Sequence, residues 1–264
     1  MKRLPIAVCL AVIAAAFVYQ QTNSIKTSRY TWQSSRVPRG FDGYRIVQVS
    51  DLHSKRFGRN QERLLRAIRK AQPDMIAFTG DFIDYKTKSL DSIMDLLAGI
   101  RGMAPVYYVD GNHDPNSPYY QAFRAMLSQY DVTVLHGWAR LAHKDETVSL
   151  VGFPYWDFPY WDWKPSNVPD SADIVLSHSP DLFAALAGRG CGLVLAGHNH
   201  GGQIAFPGGK ALFGPRKELL PAYSAGIYRE GDATMVLSRG LGVSQIPFRL
   251  FAQPEIVVIE LKTE

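Results

Sequence analysis

The chain has 264 residues, 46% of them apolar and 20% charged, with a formal charge of +5. That length allows one large domain or two small ones, and that composition excludes disorder as the default. The positive excess suits an anionic partner or an anionic membrane surface but is too slight and scattered to argue for nucleic-acid binding; two cysteines, Cys9 and Cys191, make no disulfide framework.

Met1-Lys2-Arg3 is a short basic head, followed by an almost wholly apolar run from Leu4 to Tyr19 and then by polar Gln20 to Asn23. A basic head, an apolar centre and the small residues Ala14-Ala15-Ala16 make a signal-type segment. The run falls short of the ~20 apolar residues of a comfortable spanning helix. Three readings stay open for residues 1–22: a retained anchor, a cleaved signal or an interfacial helix. The domain would then be membrane-associated or exported, with the side of the membrane undetermined by the flanking charges. Residues 23–43 are polar and basic, punctuated by Pro38 and Gly40, and read as a tether to a domain over 44–264.

Tyr44 to Ser50 is a β-branched run of strand length that ends on Asp51-Leu52-His53. Asn60 is placed to cap a helix running to about Ala71, with Leu64, Leu65 and Ile68 inward and Arg63, Arg66 and Lys70 on a solvated face. Met75 to Thr79 reads as a second strand, ending on Gly80-Asp81, with a helix from about Leu90 to Ile100 behind it. Val106 to Val109 is a third strand, running through Asp110 into Gly111-Asn112-His113-Asp114. A helix over about 119–129 leads to strands near 132–135 and 148–151. Asp173 to Ser177 ends on His178, and Pro180 opens a helix through Ala187. Leu193 to Ala196 then runs into Gly197-His198-Asn199-His200-Gly201-Gly202, and strands near 234–237 and 256–261 close the chain.

Strand, polar loop and helix alternate, which argues for an α/β sheet with helices outside. Chemistry in such sheets collects at the carboxyl ends of strands. Asp51, His53, Asp81, Asn112, His113, Asp114, His178, His198 and His200 all follow a strand, and they include five of the seven histidines. At strand spacing, His198 and His200 point the same way, as metal ligands or as a structural pair. Mixed imidazole, carboxylate and amide donors suit Mn²⁺, Fe²⁺, Co²⁺ or Zn²⁺. Seven donors with one bridging carboxylate fit two ions ~3.5–4 Å apart.

The blocks Asp51-x-His53, Gly80-Asp81, Gly111-Asn112-His113-Asp114, His178 and Gly197-His198-Asn199-His200 resemble the calcineurin-like metallophosphoesterase superfamily, in the family's order. The resemblance covers about 44–261 and implies a four-layer αββα sandwich of two mixed sheets. Gly197 to Gln203 and Ser238-Arg239-Gly240-Leu241-Gly242 are most similar to its bacterial membrane- or wall-associated branch, which includes enzymes resembling UDP-2,3-diacylglucosamine pyrophosphohydrolase. It implies one divalent ion on Asp51, His53, Asp81 and His200, and a second on Asp81, Asn112, His178 and His198. It also implies His113 at the leaving-group oxygen as general acid or charge stabiliser, with Asp114 fixing its tautomer and raising its pKa. Tyr85 stands where the protein serine/threonine phosphatase branch carries an arginine, which argues against a phosphoprotein substrate. Asp84 stands where purple acid phosphatases place a tyrosine ligand.

Phe153-Pro154-Tyr155-Trp156-Asp157 is followed at once by Phe158-Pro159-Tyr160-Trp161-Asp162-Trp163, a tandem aromatic repeat whose prolines argue against helix or central strand. It reads as a loop packing its rings on the body, as a lid or wall for an apolar or sugar group, or as a contact with the bilayer interface. The expected function is two-metal hydrolysis of a phosphoester or pyrophosphate, on a phosphorylated small molecule or a lipid-linked or nucleotide-sugar substrate, by a monomer. The alternatives are a broad-specificity extracytoplasmic phosphatase, a binding protein without turnover, and another dimetal hydrolase such as an amidase.

Overall fold

The computed structural model describes residues 3–155 and 171–264, so most of the aromatic repeat, from Trp156 onward, lies outside the described residues. Two six-stranded sheets pack face to face. The first is built from β1 (Lys26–Gln33), β2 (Arg45–Val49), β3 (Met75–Thr79), β4 (Val106–Val109), β5 (Val132–Val134) and β12 (Glu255–Lys262), in the order β1-β12-β2-β3-β4-β5. The second takes β6 (Gly137–His143), β7 (Glu146–Phe153), β8 (Ile174–Ser177), β9 (Leu193–Ala196), β10 (Gly226–Glu230) and β11 (Ala233–Leu237), in the order β10-β11-β9-β8-β7-β6. β2 to β5 run parallel in one, and β7, β8, β9 and β11 in the other; antiparallel pairs β12–β2, β10–β11 and β6–β7 make both sheets mixed.

The central strands are buried on both faces, which is why they read as continuous apolar runs. Their side chains still alternate. In β3, Met75 and Ala77 face the space between the sheets, while Ile76 and Phe78 face outward under α2 (Glu62–Ala71) and α3 (Asp91–Ile100). In β9, Leu193 and Leu195 face the other sheet, while Val194 and Ala196 pack outward with α5 (Phe183–Gly188). α4 (Tyr120–Gln129) adds Phe123 and Leu127 to the outer layer of the first sheet. The result is the expected helix–sheet–sheet–helix sandwich. Each fully buried Ile, Leu or Phe in it contributes ~1.5–3 kcal/mol from area removed from water.

Three expectations need correction. The segment read as a tether holds β1, which pairs in parallel with β12 from Lys26–Glu255 to Gln33–Lys262. It was hidden because this edge strand buries only Ser28 and Trp32; the Ser28 hydroxyl donates to Glu255, and Trp32 enters the core between the sheets. Asn60 does not cap α2. It sits in a left-handed conformation (φ +51°), and Gln61 instead organises the entry, its Oε1 accepting from Phe57 N and its Nε2 donating to the Lys55 carbonyl. β6 and β10 are edge strands with half-exposed patterns, too polar to announce themselves. The apolar N-terminus forms α1 (Arg3–Asn23), which continues through the polar Gln20 to Asn23.

Candidate metal centre

The carboxyl ends of β2, β3, β4, β8 and β9 meet at one end of the sandwich, and each delivers ligand-type side chains there. Asp51 and His53 follow β2, Asp81 follows β3, Asn112 and His113 follow β4, His178 follows β8, and His198 and His200 follow β9. Gln48, in β2, stitches the sheets together beneath them: its Nε2 donates to Thr79 Oγ1 (3.0 Å) and across to the Ala196 carbonyl (2.8 Å).

Two overlapping groups result. Asp51, His53, Asp81 and His200 each offer an atom within 4.8 Å of the others, and so do Asp81, His178 and His198. His53 Nε2 and His200 Nε2 are 3.3 Å apart, with Asp51 Oδ1 3.5 Å from the latter. On the other side His178 Nε2 lies 3.1 Å from Asn112 Oδ1 and 3.2 Å from His198 Nδ1, which is itself 2.8 Å from Asn112 Oδ1. Asp81 belongs to both groups, with Oδ2 3.1 Å from His178 Nε2 and 3.8 Å from His53 Nε2.

The chemistry of these contacts calls for cations. His178 Nδ1 faces the Thr79 carbonyl at 2.7 Å, an acceptor only, so that nitrogen carries a proton and Nε2 is the one turned inward, where a cation would replace its own proton. His53 Nδ1 is likewise committed to Asp84 Oδ2 at 3.1 Å. Imidazole lone pairs, an amide oxygen and carboxylates thus face one another at close range. Asp81 Oδ2 is fully buried and accepts no hydrogen bond. Such an atom is costly unless a positive charge satisfies it. Asp51, Asp81, His53 and His200 form a dinuclear metal-binding group with its neighbours.

Protonation follows the same logic. Burial pushes the Asp81 carboxyl up, but positive charge on His178, His53 and His113 outweighs it and holds the group well below the usual carboxylate range. His178, though buried, is held up to about 9 by Asp81. Burial and the charge of His178 push His198 down to about 3, and burial and His53 push His200 far down. Ions binding here displace protons from the shared cluster.

The backbone is shaped to make these meetings. Asp51, His53, Asp81, His198 and His200 all adopt positive φ, from +47° to +75°. Few non-glycine residues do so, at a cost of order 1–3 kcal/mol each where the region is sparse, and such strain clusters at working sites. It also corrects the reading of His198 and His200. The strand ends at Ala196, and the two rings are not aligned by strand pleat; the left-handed turns send His198 toward His178 and His200 toward His53. Glycines make room: a Cβ on Gly111 would lie 2.2 Å from Asp81 Oδ1, and one on Gly240 2.5 Å from the Asp51 Cβ.

Two roles were expected for the Asn112 loop, and one of them fails. The His113 ring lines the open cleft and lies 5.3 Å from the His53 ring, while its backbone N–H donates to Asp81 Oδ1 at 2.7 Å. Asp114 does not orient it. The Asp114 carboxylate is buried and accepts from the backbone N–H groups of Asp81, Phe82, Ile83 and Gly111 at 2.7–3.0 Å. It knots the β3 and β4 loops together, and burial and Asp81 raise its pKa to about 6. His113 is pushed down by burial, not up as expected.

Three further contributors were not expected at the centre in these roles. Asp84 fixes the His53 tautomer, and its own donors are Lys86 N and the Thr87 hydroxyl. Arg249 is wholly buried behind His200 and donates to the carbonyls of Gly242, His200 and Ala252; burial lowers its pKa to about 10. Tyr155, from the first aromatic repeat, sets its ring 5.6 Å from His198. Tyr155 lies in the aromatic repeat, whereas Asp84 and Arg249 carry no motif of their own. A cleft of about 530 Å³ opens above the centre, walled by His113, Tyr155, Gln203, Phe213, Arg216 and Lys217.

A sequence model of the calcineurin-like phosphoesterase family matches residues 44–202. An uncharacterized metallophosphoesterase of Bacillus subtilis, YkuE, is 30% identical over 261 residues, covering 93% of this chain and 88% of the relative. The phosphodiesterase YaeI of Escherichia coli is 28% identical, covering 83% of this chain and 82% of its own length. The UDP-2,3-diacylglucosamine pyrophosphatase LpxG of Chlamydia muridarum is 26% identical, covering 90% of each.

Proposed function

The chain belongs to the calcineurin-like phosphoesterase family and is a metal-dependent phosphoester hydrolase; on that premise we propose that it cleaves a phosphodiester or pyrophosphate in a lipid-linked or nucleotide-sugar substrate at a membrane. The observation that carries this reading is the position of α1. Its last turns meet Arg249 and Phe251, at the end of the loop whose Ser244, Gln245 and Ile246 wall the cleft. Residues Ile6–Asn23 are long and apolar enough to cross a bilayer and are largely unburied.

In this reading Asp51, His53, Asp81 and His200 hold one ion and Asp81, Asn112, His178 and His198 the other. Two divalent ions there supply Lewis acidity that activates a water and stabilises charge on the phosphoryl oxygens. Asn112 contributes a neutral oxygen and so limits the negative charge of the site. Asp84 and the Thr79 carbonyl hold His53 and His178 in the tautomers that present Nε2. His113, on the open side of Asp81, faces the leaving-group oxygen and donates a hydrogen bond to it. Arg216 and Lys217 stand on the far wall, where an anionic second phosphate or headgroup would lie. The resemblance to LpxG and YaeI supports a pyrophosphate or phosphodiester substrate over a simple monoester.

The test is a hydrolysis screen with Mn²⁺, Fe²⁺, Co²⁺ and Zn²⁺ on UDP-2,3-diacylglucosamine, on bis-p-nitrophenyl phosphate and on p-nitrophenyl phosphate. Preference for the first two is expected. A preference for the monoester rejects the substrate reading, and bound metal with no turnover on any phosphoester points to a binding protein.

A further inference from the structure

Residues 203–220 and 247–251 build a small platform beside the mouth of the cleft. Ala205 N donates to the Leu250 carbonyl and Leu250 N to that of Gln203; Leu212 N donates to Ile204 and Leu220 N to Leu212. Phe206, Phe213, Leu219, Leu220, Phe248 and Phe251 all project from this one unit and are 36–65% exposed. Isolated exposed apolar side chains need no account, but six on one hydrogen-bonded unit mark an interaction surface. Within 203–220 the exposed charges are Lys210, Arg216 and Lys217 against Glu218, and Arg216 is paired with Asp181 at 2.9 Å.

What covers this face is indicated by its neighbour. The platform is continuous with α1: the Phe17 and Phe251 rings are 5.8 Å apart, Phe251 N donates to Gln21 Oε1, and Arg249 N donates to Thr22 Oγ1. The apolar window of α1 runs from Ile6 to Asn23, a length of about 27 Å at ~1.5 Å per residue. That only just matches the ~30 Å hydrocarbon core. Phe17, Gln21 and Thr22, which meet the platform, fall in the last two turns of that window, so with α1 across the bilayer they lie at its edge. The platform is brought to the same level.

We propose that this platform is an interfacial membrane-binding face, which seats the mouth of the metal cleft on an anionic lipid surface so that substrate enters from the bilayer. The apolar side chains reach the headgroup boundary, and Lys210 and Lys217 meet the lipid phosphates. The proposal rests on the lipid-linked reading of the site and narrows it to amphiphilic phosphoesters presented by a membrane.

Its test uses the full chain carrying Cys9→Ser and Cys191→Ala, reconstituted into vesicles of equal parts phosphatidylcholine and phosphatidylglycerol. Bimane is attached at Leu219→Cys, at Phe206→Cys, or at Trp138→Cys on the far edge strand of the second sheet. Nitroxide-bearing phosphatidylcholine should quench the first two probes strongly and leave the third unaffected; equal quenching at all three sites, or none at Leu219 and Phe206, overturns the proposal. In parallel, the double variant Leu219→Glu and Phe206→Glu should hydrolyse vesicle-embedded phosphatidyl-p-nitrophenol roughly tenfold more slowly, with bis-p-nitrophenyl phosphate turnover in solution unchanged. Unchanged turnover on the vesicle substrate overturns it. If neither phosphoester is hydrolysed by the parent protein, the catalytic reading falls, and the quenching alone decides the membrane face.

Discussion

Asp81 Oδ2 lies 3.1 Å from His178 Nε2, fully buried, and accepts no hydrogen bond. Asp81 belongs to both ligand groups, and in the proposed reading it would hold both ions. Asp81→Asn should therefore cost at least one metal together with activity, by more than about a hundredfold, beyond what loss of a ligand's supporting partner causes. Elemental analysis alongside turnover checks this, and two metals at normal occupancy would contradict the bridge.

Asp84 holds His53 by a 3.1 Å contact to Nδ1 and touches no other ligand of the site by a hydrogen bond. Asp84→Ala frees the His53 ring and removes the partner that raises its basicity. Metal affinity should fall about 10–100-fold, and higher metal concentration should restore turnover. Titration of the metal-depleted variant measures it; wild-type affinity would reject an orienting role.

His113 is predicted to act on the leaving group. His113→Ala should slow hydrolysis of alkyl or sugar esters by about 10²–10⁴-fold, and nitrophenyl esters, which leave without a proton, far less. Equal losses on both substrate types would remove His113 from that position.

Asp114 accepts four backbone N–H bonds in a buried loop. Asp114→Ala leaves those donors without partners at ~1–3 kcal/mol apiece, reduced by whatever water enters. A fall in Tm should be the dominant effect. A variant of unchanged Tm with a shifted pH profile would restore the role first expected of it.

Lys55 gives a pH dependence of stability. Burial, with Arg249 and Arg63 adding to it, lowers its pKa from 10.5 to about 7, and its ammonium donates to the Thr22 carbonyl at the end of α1. Between those pH values the unfolded chain binds the proton that the folded one has released. Stability from this group therefore rises with pH from 7 toward 10.5, and its penalty is complete below 7. Lys55→Met should melt higher than the parent below pH 7, and the difference should shrink as pH rises. A constant difference would count against the buried lysine as its source.

Much of the architecture could be read from sequence because the central parallel strands are buried on both faces. Val47, Ile76, Val175 and Val194 belong to runs that no loop or surface helix would carry. The edges could not be read, since β1 buries two side chains of eight and its partner β12 lies over 200 residues away. The seven ligand-type residues were legible because each follows a strand, and the fold brings them together. The grouping of His198 and His200 was not legible from pleat geometry, because the strand ends at Ala196 and both histidines adopt positive φ. Asp114 misled for a related reason: its side chain serves a loop 32 residues away rather than the histidine next to it. Asp84 and Arg249 act through distant partners, which spacing along a chain does not encode.

Asp51, Asp81 and Asn112 extend from one sheet, and His178, His198 and His200 from the other. The centre is thus a rivet as well as a reagent. Stripping its ions leaves that join to the His178–Asp81 contact, with Gln48 as the nearest fastening beneath it. Chelation would then loosen the two halves from the cleft inward, and the end of the sandwich far from the loops would be the last to open.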